Sequence, residues 1–313
     1  MCSFTVEQRI LAALIAAGLA LAVSIAPVVA QQTPIPPDFS ANLAGWVGLN
    51  GGGPFYEPVP GHLPPVVSDP AYPFTPNGVA KQPTFRIADL SNPNLKPWVK
   101  EHMKKDIDEV LAGKKSAFTP QSSCVPAGVP FFMGYGGPDP LVFLQTPKEV
   151  WIVWREDNQV RRIYMDVPHS ANLKLSWYGE SVGRYEGDTL VIDTIGLSEK
   201  TVVDVYRTPH TEKLHVVERY RLRDYEDVKD LITRAAKENW RPAGPINPSN
   251  YKDKYLQVDF TIEDEGTFTT PWTASMIYLR DRGEWPEVAC AENRLGFHND
   301  QDGGFPTASK PDF

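Results

Sequence analysis

The chain has 313 residues, 42% hydrophobic and 22% charged, and its 31 basic against 39 acidic side chains leave a formal charge of −8. An acidic chain with scattered charges excludes the basic footprint that nucleic acid or an anionic membrane surface requires of a partner. The length is enough for one large β domain or two small ones, each with a full core.

The first segment, "RILAALIAAGLALAVSIAPVVA", carries one Arg and then an apolar run ending in Val28-Val29-Ala30. A basic start, a short apolar core and small residues at a cut site predict a secretory signal peptide over residues 1–30. The alternative, an uncleaved anchor, wants roughly 20 apolar residues, which this run barely supplies. A polar, Pro-rich stretch directly after Ala30 also suits a protease better than a membrane boundary. The mature chain is expected to begin near Gln31, in the periplasm or outside the cell, with no integral membrane association. Glu7 and Arg9 leave together, so the charge is unchanged. Cys2 leaves too, and the remaining pair, Cys124 and Cys290, is expected to form one disulfide in an exported protein. It would close a loop of 290 − 124 = 166 residues.

Residues 31–83 hold 12 prolines and the run "LNGGGP". Proline lacks an amide donor and fixes φ, so residues 31–93 are expected to form an extended arm rather than sheet or helix. Residues 94–123 supply a helix and linker: Pro97 suits a first turn, Val99, Met103, Ile107 and Val110 share one face, and Gly113 supplies a stop. His102 falls off that face and is expected in solvent.

From about residue 141 the apolar period changes to two. "LVFLQ", "EVWIVW", "QVRRIYMD", "LKLSWYG", "DTLVIDT", "KLHVVERYRL", "YLQVDFTIED" and "WTASMIYLR" read as short strands between turns. Successive strands without βαβ spacing predict an antiparallel meander over residues 124–296, closing into a calycin- or lipocalin-like barrel. A second helix, with Val228, Leu231, Ile232 and Ala235 on one face, is expected within an insertion at residues 224–254. Residues 297–313 form a tail. The expected fold is mainly β, with a Pro-rich arm and two added helices.

At "SVGRYEGDTLVIDTIG", "TPHTEKLHVVERYRL", "TPWT" and "CAEN" the chain resembles a family of exported bacterial β-rich proteins. Its members read Ser-x-Gly-x-Trp-Glu-Gly-Asp-Thr-Leu-Val-Val-Asp-Thr, then a Pro-His-Ser segment, a His-Val-x-Glu-Arg strand and a late Cys-Glu-Glu-Asn. The likeness covers roughly residues 120–293 and departs at Tyr185, at Ala291 and in the helical insertion. It implies export and a β-rich fold, and it brings no activity with it.

"GESVG" matches Gly-x-Ser-x-Gly, with Asp204 and His210 following in hydrolase order. That elbow needs a strand turning into a helix above a parallel sheet, and a turn and strand are expected here instead. His210 and His215, with Asp204 or Glu218, lack the His-x-His or His-x-x-x-His spacing that puts two rings on one side, so no metal site is expected. In "LHVVERYRL", Glu218 shares an apolar row with Leu214, Val216, Tyr220 and Leu222. A carboxylate there either meets an arginine, with Arg162 of the row Val160, Arg162, Tyr164 as the expected partner, or faces a ligand with a raised pKa.

Alternate loops of a meander lie at one end. That gathers Asp193, Asp204 and His210 at one mouth, with Phe268 and Trp272 as apolar walls and the helical insertion at the other end. His215 begins the next strand, just below the mouth or on the outer face. The expected function is general acid–base catalysis by His210, oriented by Asp193 or Asp204 and supported by Glu218 and His215. The expected substrate is small and partly apolar, and meets Arg162, Tyr220, Phe268 and Trp272. Such lyase, isomerase or hydrolase chemistry needs no cofactor. Two other classes stay open, a noncatalytic carrier of hydrophobic ligands in the barrel and an interaction protein of the cell envelope.

Overall fold

Ten strands occur in the described part of the chain, and nine of them close on one another. They are β1 (Gly45–Gly48), β2 (Phe55–Tyr56), β3 (Leu141–Gln145), β4 (Glu149–Trp154), β5 (Gln159–Met165), β6 (Glu180–Glu186), β7 (Thr189–Ile195), β8 (His215–Arg223), β9 (Tyr255–Glu263) and β10 (Trp272–Asp281). This computed structural model describes residues 36–281 except 41–44, 49–54, 73–85, 116, 118–119, 121–123, 135–139, 156–158, 238–250 and 252. All of these belong to one compact unit that begins at Pro36. The expected signal peptide, Cys290 with its pairing to Cys124, and the tail at 297–313 lie outside the described residues.

The barrel closes because β1 pairs with both β3 and β10. β2 pairs with Ala274 and Ser275 of β10, whose other edge there is taken by β9, so it continues the β1 line along the same edge. The arm therefore contributes two strands, contrary to the expectation of no regular structure. Its prolines flank two Pro-free stretches free to donate, 38–53 with β1 and 55–57 with β2. Gly45 is required at this seam, since a Cβ there would sit 2.2 Å from Cβ of Pro140.

The expected all-antiparallel meander needs one correction. β5 and β6 are parallel, with Ile163 opposite Ser181. "LKLSWYG" is not a strand, and Leu173 and Leu175 stand exposed. The strand is instead "ESVGRYE", which the glycines had suggested was a turn. Gly183 belongs inside it because a Cβ would meet Ile163 Cγ2 at 2.8 Å and Met165 Sδ at 2.9 Å. A parallel pair needs a crossover, and residues 166–179 supply it outside the wall. All other pairs are antiparallel.

Inward side chains alternate as the strand period demands. Phe39 of the arm meets Phe143 and Tyr220 at ring distances of 5.5 and 6.4 Å, contacts typically worth about 0.5–1.5 kcal/mol each beyond burial. Helix α1 (Pro97–Leu111) buries Val99, Met103, Ile107 and Val110 as its spacing predicts, and His102 is exposed. The first three of these, with Val202, Val203 and Leu214, join the interior core. The end of the barrel expected to be an open mouth is therefore plugged by α1 and residues 196–214. Helix α2 (Tyr225–Lys237) leaves from the opposite end. It folds back on the outer wall, where Val228, Leu231 and Ile232 pack with Phe55, Tyr255, Ile277 and Leu279. Among the described residues no helix is long and apolar enough to cross a membrane.

Candidate functional site

Five alternating acids and histidines run across the outer face, near the end from which the 196–214 loop leaves. The parity of β7, β8 and β9 turns Asp193, His215 and Glu263 outward, while Thr194, Val216 and Ile262 face in. His215 lies opposite Glu263 in the ladder. The crossover 166–179 lays His169 on the same surface, beside Glu180 at the start of β6. His215 Nε2 donates to Asp193 Oδ1 at 2.9 Å, and His169 Nε2 reaches the same oxygen at 3.1 Å. The outer nitrogens meet the flanking acids: His169 Nδ1 is 3.1 Å from Glu180 Oε1, and His215 Nδ1 is 3.4 Å from Glu263 Oε2.

The electrostatics follow from these bonds. Hydrogen bonding from His215, then from His169, holds the Asp193 carboxyl below the usual carboxylate range despite partial burial. The hydrogen bond to Asp193 raises the His215 imidazole above its ordinary value, with burial acting the other way. Each partner stabilises the charged form of the other.

His215 also lines a cleft of about 420 Å³ with Lys213, Glu263, Glu265, Phe268 and Thr270. Two buried hubs fix its floor, the loop 264–271. Asp264 accepts from Thr211 N, Thr211 Oγ1, Gly266 N and Thr267 Oγ1 at 2.6–2.9 Å. Asn94 Oδ1 accepts from Thr269 N and Thr270 N at 3.0 and 2.8 Å. Such a clamped loop is a preorganised wall.

The remaining expected site residues fall elsewhere. His210 is 3% exposed and belongs to the plug. Its Nδ1 donates to the Thr211 carbonyl at 2.8 Å, and Thr201 Oγ1 lies 2.6 Å from Nε2. Burial pushes its pKa down, against the Thr211 bond. No hydrogen bond joins it to Asp193 or Asp204, so the expected His210–carboxylate pair is not formed. Asp204 instead accepts from Thr208 N, Thr208 Oγ1 and Tyr206 N within its own loop, and burial pushes it up to about 6.

Glu218 is fully buried, and its partner is Arg161, not Arg162. Ser181 and Thr194 hydroxyls bind the same guanidinium, and Tyr220 Oη donates to Glu218 Oε1 at 2.8 Å. In β5 the inward row is Arg161, Ile163, Met165. Arg162 faces out, stacks on Trp151 and Tyr164, and pairs with Glu149. Tyr220 and Trp272 are interior packing residues, and of the expected apolar walls only Phe268 touches the cleft.

His169 escaped the sequence reading because it fell in the turn between "QVRRIYMD" and "LKLSWYG", the second of which was read as a strand rather than as part of a crossover. The signal was "DVPHS": a proline and histidine between a strand and the next pairing partner. Among the described residues no group of three or more His, Cys, Asp or Glu is arranged to hold a metal ion. No protein family, curated protein or solved structure matches this chain.

Proposed function

We propose that the protein is an enzyme that works by general acid–base catalysis at His215, in the cleft beside the 264–271 loop. One observation carries this reading: His215 has one nitrogen fixed on Asp193 while its ring lines the cleft. Nε2 is held by Asp193 at 2.9 Å and Nδ1 more loosely by Glu263 at 3.4 Å, so Nδ1 is the nitrogen that exchanges a proton with a substrate. Asp193 sets the ring's orientation and stabilises the imidazolium, and His169 anchors Asp193 from the other side. Phe268 and Pro271 supply an apolar wall, and Lys213, Glu265 and Thr270 supply hydrogen bonds.

A carrier of hydrophobic ligands would use the barrel interior, and the packing of Phe39, Trp46, Phe143, Trp154 and Tyr220 there favours the external cleft instead. Export, supported by the apolar leader and the family resemblance, would place the activity in the periplasm or outside the cell. The test is a screen of chromogenic glycosides and esters against wild type, His215→Ala and Asp193→Asn. Turnover that drops by ~10²-fold in His215→Ala with folding intact is expected of a general acid or base. Equal turnover by His215→Ala would overturn the reading.

A further inference from the structure

We infer that the His215 cleft is one end of a longer groove, and that its substrate is a neutral, hydroxyl-bearing chain, an oligosaccharide, lying along the outer face of β8, β9 and β10. The inference rests on the acid–base reading of His215.

A second cleft, also about 420 Å³, lies further along the same wall, lined by Glu57, Arg219, Leu231, Asp259, Thr261 and Thr273 among others. The strand register joins the two. His215 pairs with Glu263, Val217 with Thr261 and Thr261 with Thr273, Arg219 with Asp259 and Asp259 with Ser275. These are three successive outward rows. Rows two residues apart are separated by about 7 Å, so Glu263 to Asp259 spans about 13 Å, more than one sugar ring. Thr261 and Thr273 form the middle row, on the side of the second cleft that faces the His215 cleft. Leu231 of α2 and Glu57 beyond β2 wall one end, and the 264–271 loop walls the other.

The charges of this surface are already paired within the protein. Asp259 meets Arg221, Arg219 meets Glu186, Lys213 meets Glu265 and His215 meets Glu263. A charged polymer would have to break these pairs, whereas hydroxyls can add to them. What the groove offers is mainly acceptors: carboxylate oxygens and the oxygens of Thr261, Thr273 and Gln257, since Thr273 Oγ1 donates to the Glu57 carbonyl and Ser275 Oγ and Gln257 Nε2 donate to Asp259, a set that suits the hydroxyl donors of a sugar chain. Glu57 Oε1 makes no hydrogen bond among the described residues and faces Arg234 at 3.9 Å, and burial raises that carboxyl. An extended peptide fits poorly: β9 is paired on both edges along the groove, so the backbone hydrogen bonds of strand addition are not on offer.

The test is isothermal titration calorimetry of the full chain with glucose, N-acetylglucosamine, their β-1,4-linked trimers and hexamers, and an uncharged polar hexapeptide. For at least one sugar series the hexamer should bind about tenfold or more tighter than the monosaccharide, a difference of about 1.4 kcal/mol. Thr261→Trp and, separately, Thr273→Trp, which fill the middle row from its solvent side, should remove that gain and leave monosaccharide binding unchanged. Asp193→Asn, outside the groove, should remove proton chemistry yet leave hexamer affinity intact, so the two readings fail separately. Equal affinity for monosaccharide and hexamer, no binding in either sugar series, preference for the peptide, or hexamer binding indifferent to both tryptophans would each overturn the inference.

Discussion

His215 and His169 approach one oxygen, Oδ1 of Asp193, from opposite sides, at 2.9 and 3.1 Å. The two rings come from different kinds of segment, one beginning β8 and the other riding the crossover outside β5 and β6. Asp193, near the end of β7, is therefore held from both flanks, and its orientation does not depend on either ring alone. The His215–Asp193 ion pair persists from below the usual carboxylate range up to above the usual imidazole range. Asp193's share of the stabilisation is present above pH ~3.9 and lost as pH falls through its lowered folded value. His215's share is complete below pH ~6.5 and lost as pH rises through its raised folded value.

Inside the barrel the controlling pair is Arg161 and Glu218. Removing one partner leaves an uncompensated buried charge, so Glu218→Ala should cost about 3–5 kcal/mol in urea unfolding. Arg161→Met combined with Glu218→Leu should recover most of that loss, because it removes both desolvation costs. A double variant as unstable as Glu218→Ala would show that the pair contributes more than charge compensation.

This pair also marks how far the sequence could be read. That Glu218 faces inward followed from the alternation of "LHVVERYRL", which the ladder reproduces. Choosing between Arg161 and Arg162 did not follow, because flanking Val160 and Tyr164 look as apolar as Ile163 and Met165. Only closure of the barrel decides which row is inside. Both helices were legible, since Val99, Met103, Ile107 and Val110, and later Val228, Leu231 and Ile232, repeat at helical spacing. The parallel step at β5–β6 was not, because "ESVGRYE" carries two glycine-flanked turns' worth of signal while Gly183 serves close packing. His169 was lost with it. Asp193 and His215 were both singled out, but the loop logic paired Asp193 with His210, whose burial only the plug by α1 reveals.

His210 is expected to be a structural residue. His210→Ala should lower stability by about 1–3 kcal/mol through the orphaned Thr211 carbonyl and the lost contact to Thr201 Oγ1, which keeps its bond to the Ser198 carbonyl, with cleft chemistry unchanged. Burial lowers its folded pKa, so the unfolded chain takes up the proton first. Its contribution is full above pH ~6.5 and declines as pH falls below that. A His210→Ala variant that folds as well as wild type but loses turnover would return the catalytic role to this ring.

Asp204 should act in the opposite sense. Its carboxyl is pushed up to about 6 by burial, so the folded state holds a proton that the unfolded chain has released. Stability should be greatest below pH ~4 and fall as pH rises to ~6, by roughly 3 kcal/mol from this group alone. Asp204→Asn, close in shape to the protonated acid, should flatten that interval in a series of urea melts. An unchanged slope between pH 4 and 6 would assign it to other groups.

The proposed export predicts that Cys124 and Cys290 are oxidised to one disulfide. Titration of unreduced, denatured protein with a thiol reagent should find no free cysteine, and two after reduction. Two reactive thiols before reduction would contradict the pairing.

The central claim is that Asp193 makes His215 a proton-exchanging group at the cleft. The direct measurement is a pH titration of the His215 ring by NMR in wild type and Asp193→Asn, assigned through a His215→Gln spectrum. The account predicts a midpoint above the ordinary imidazole value of ~6.5 in wild type that falls when the carboxylate is neutralised. A wild-type midpoint at or below ~6.5, or one indifferent to Asp193→Asn, would contradict it.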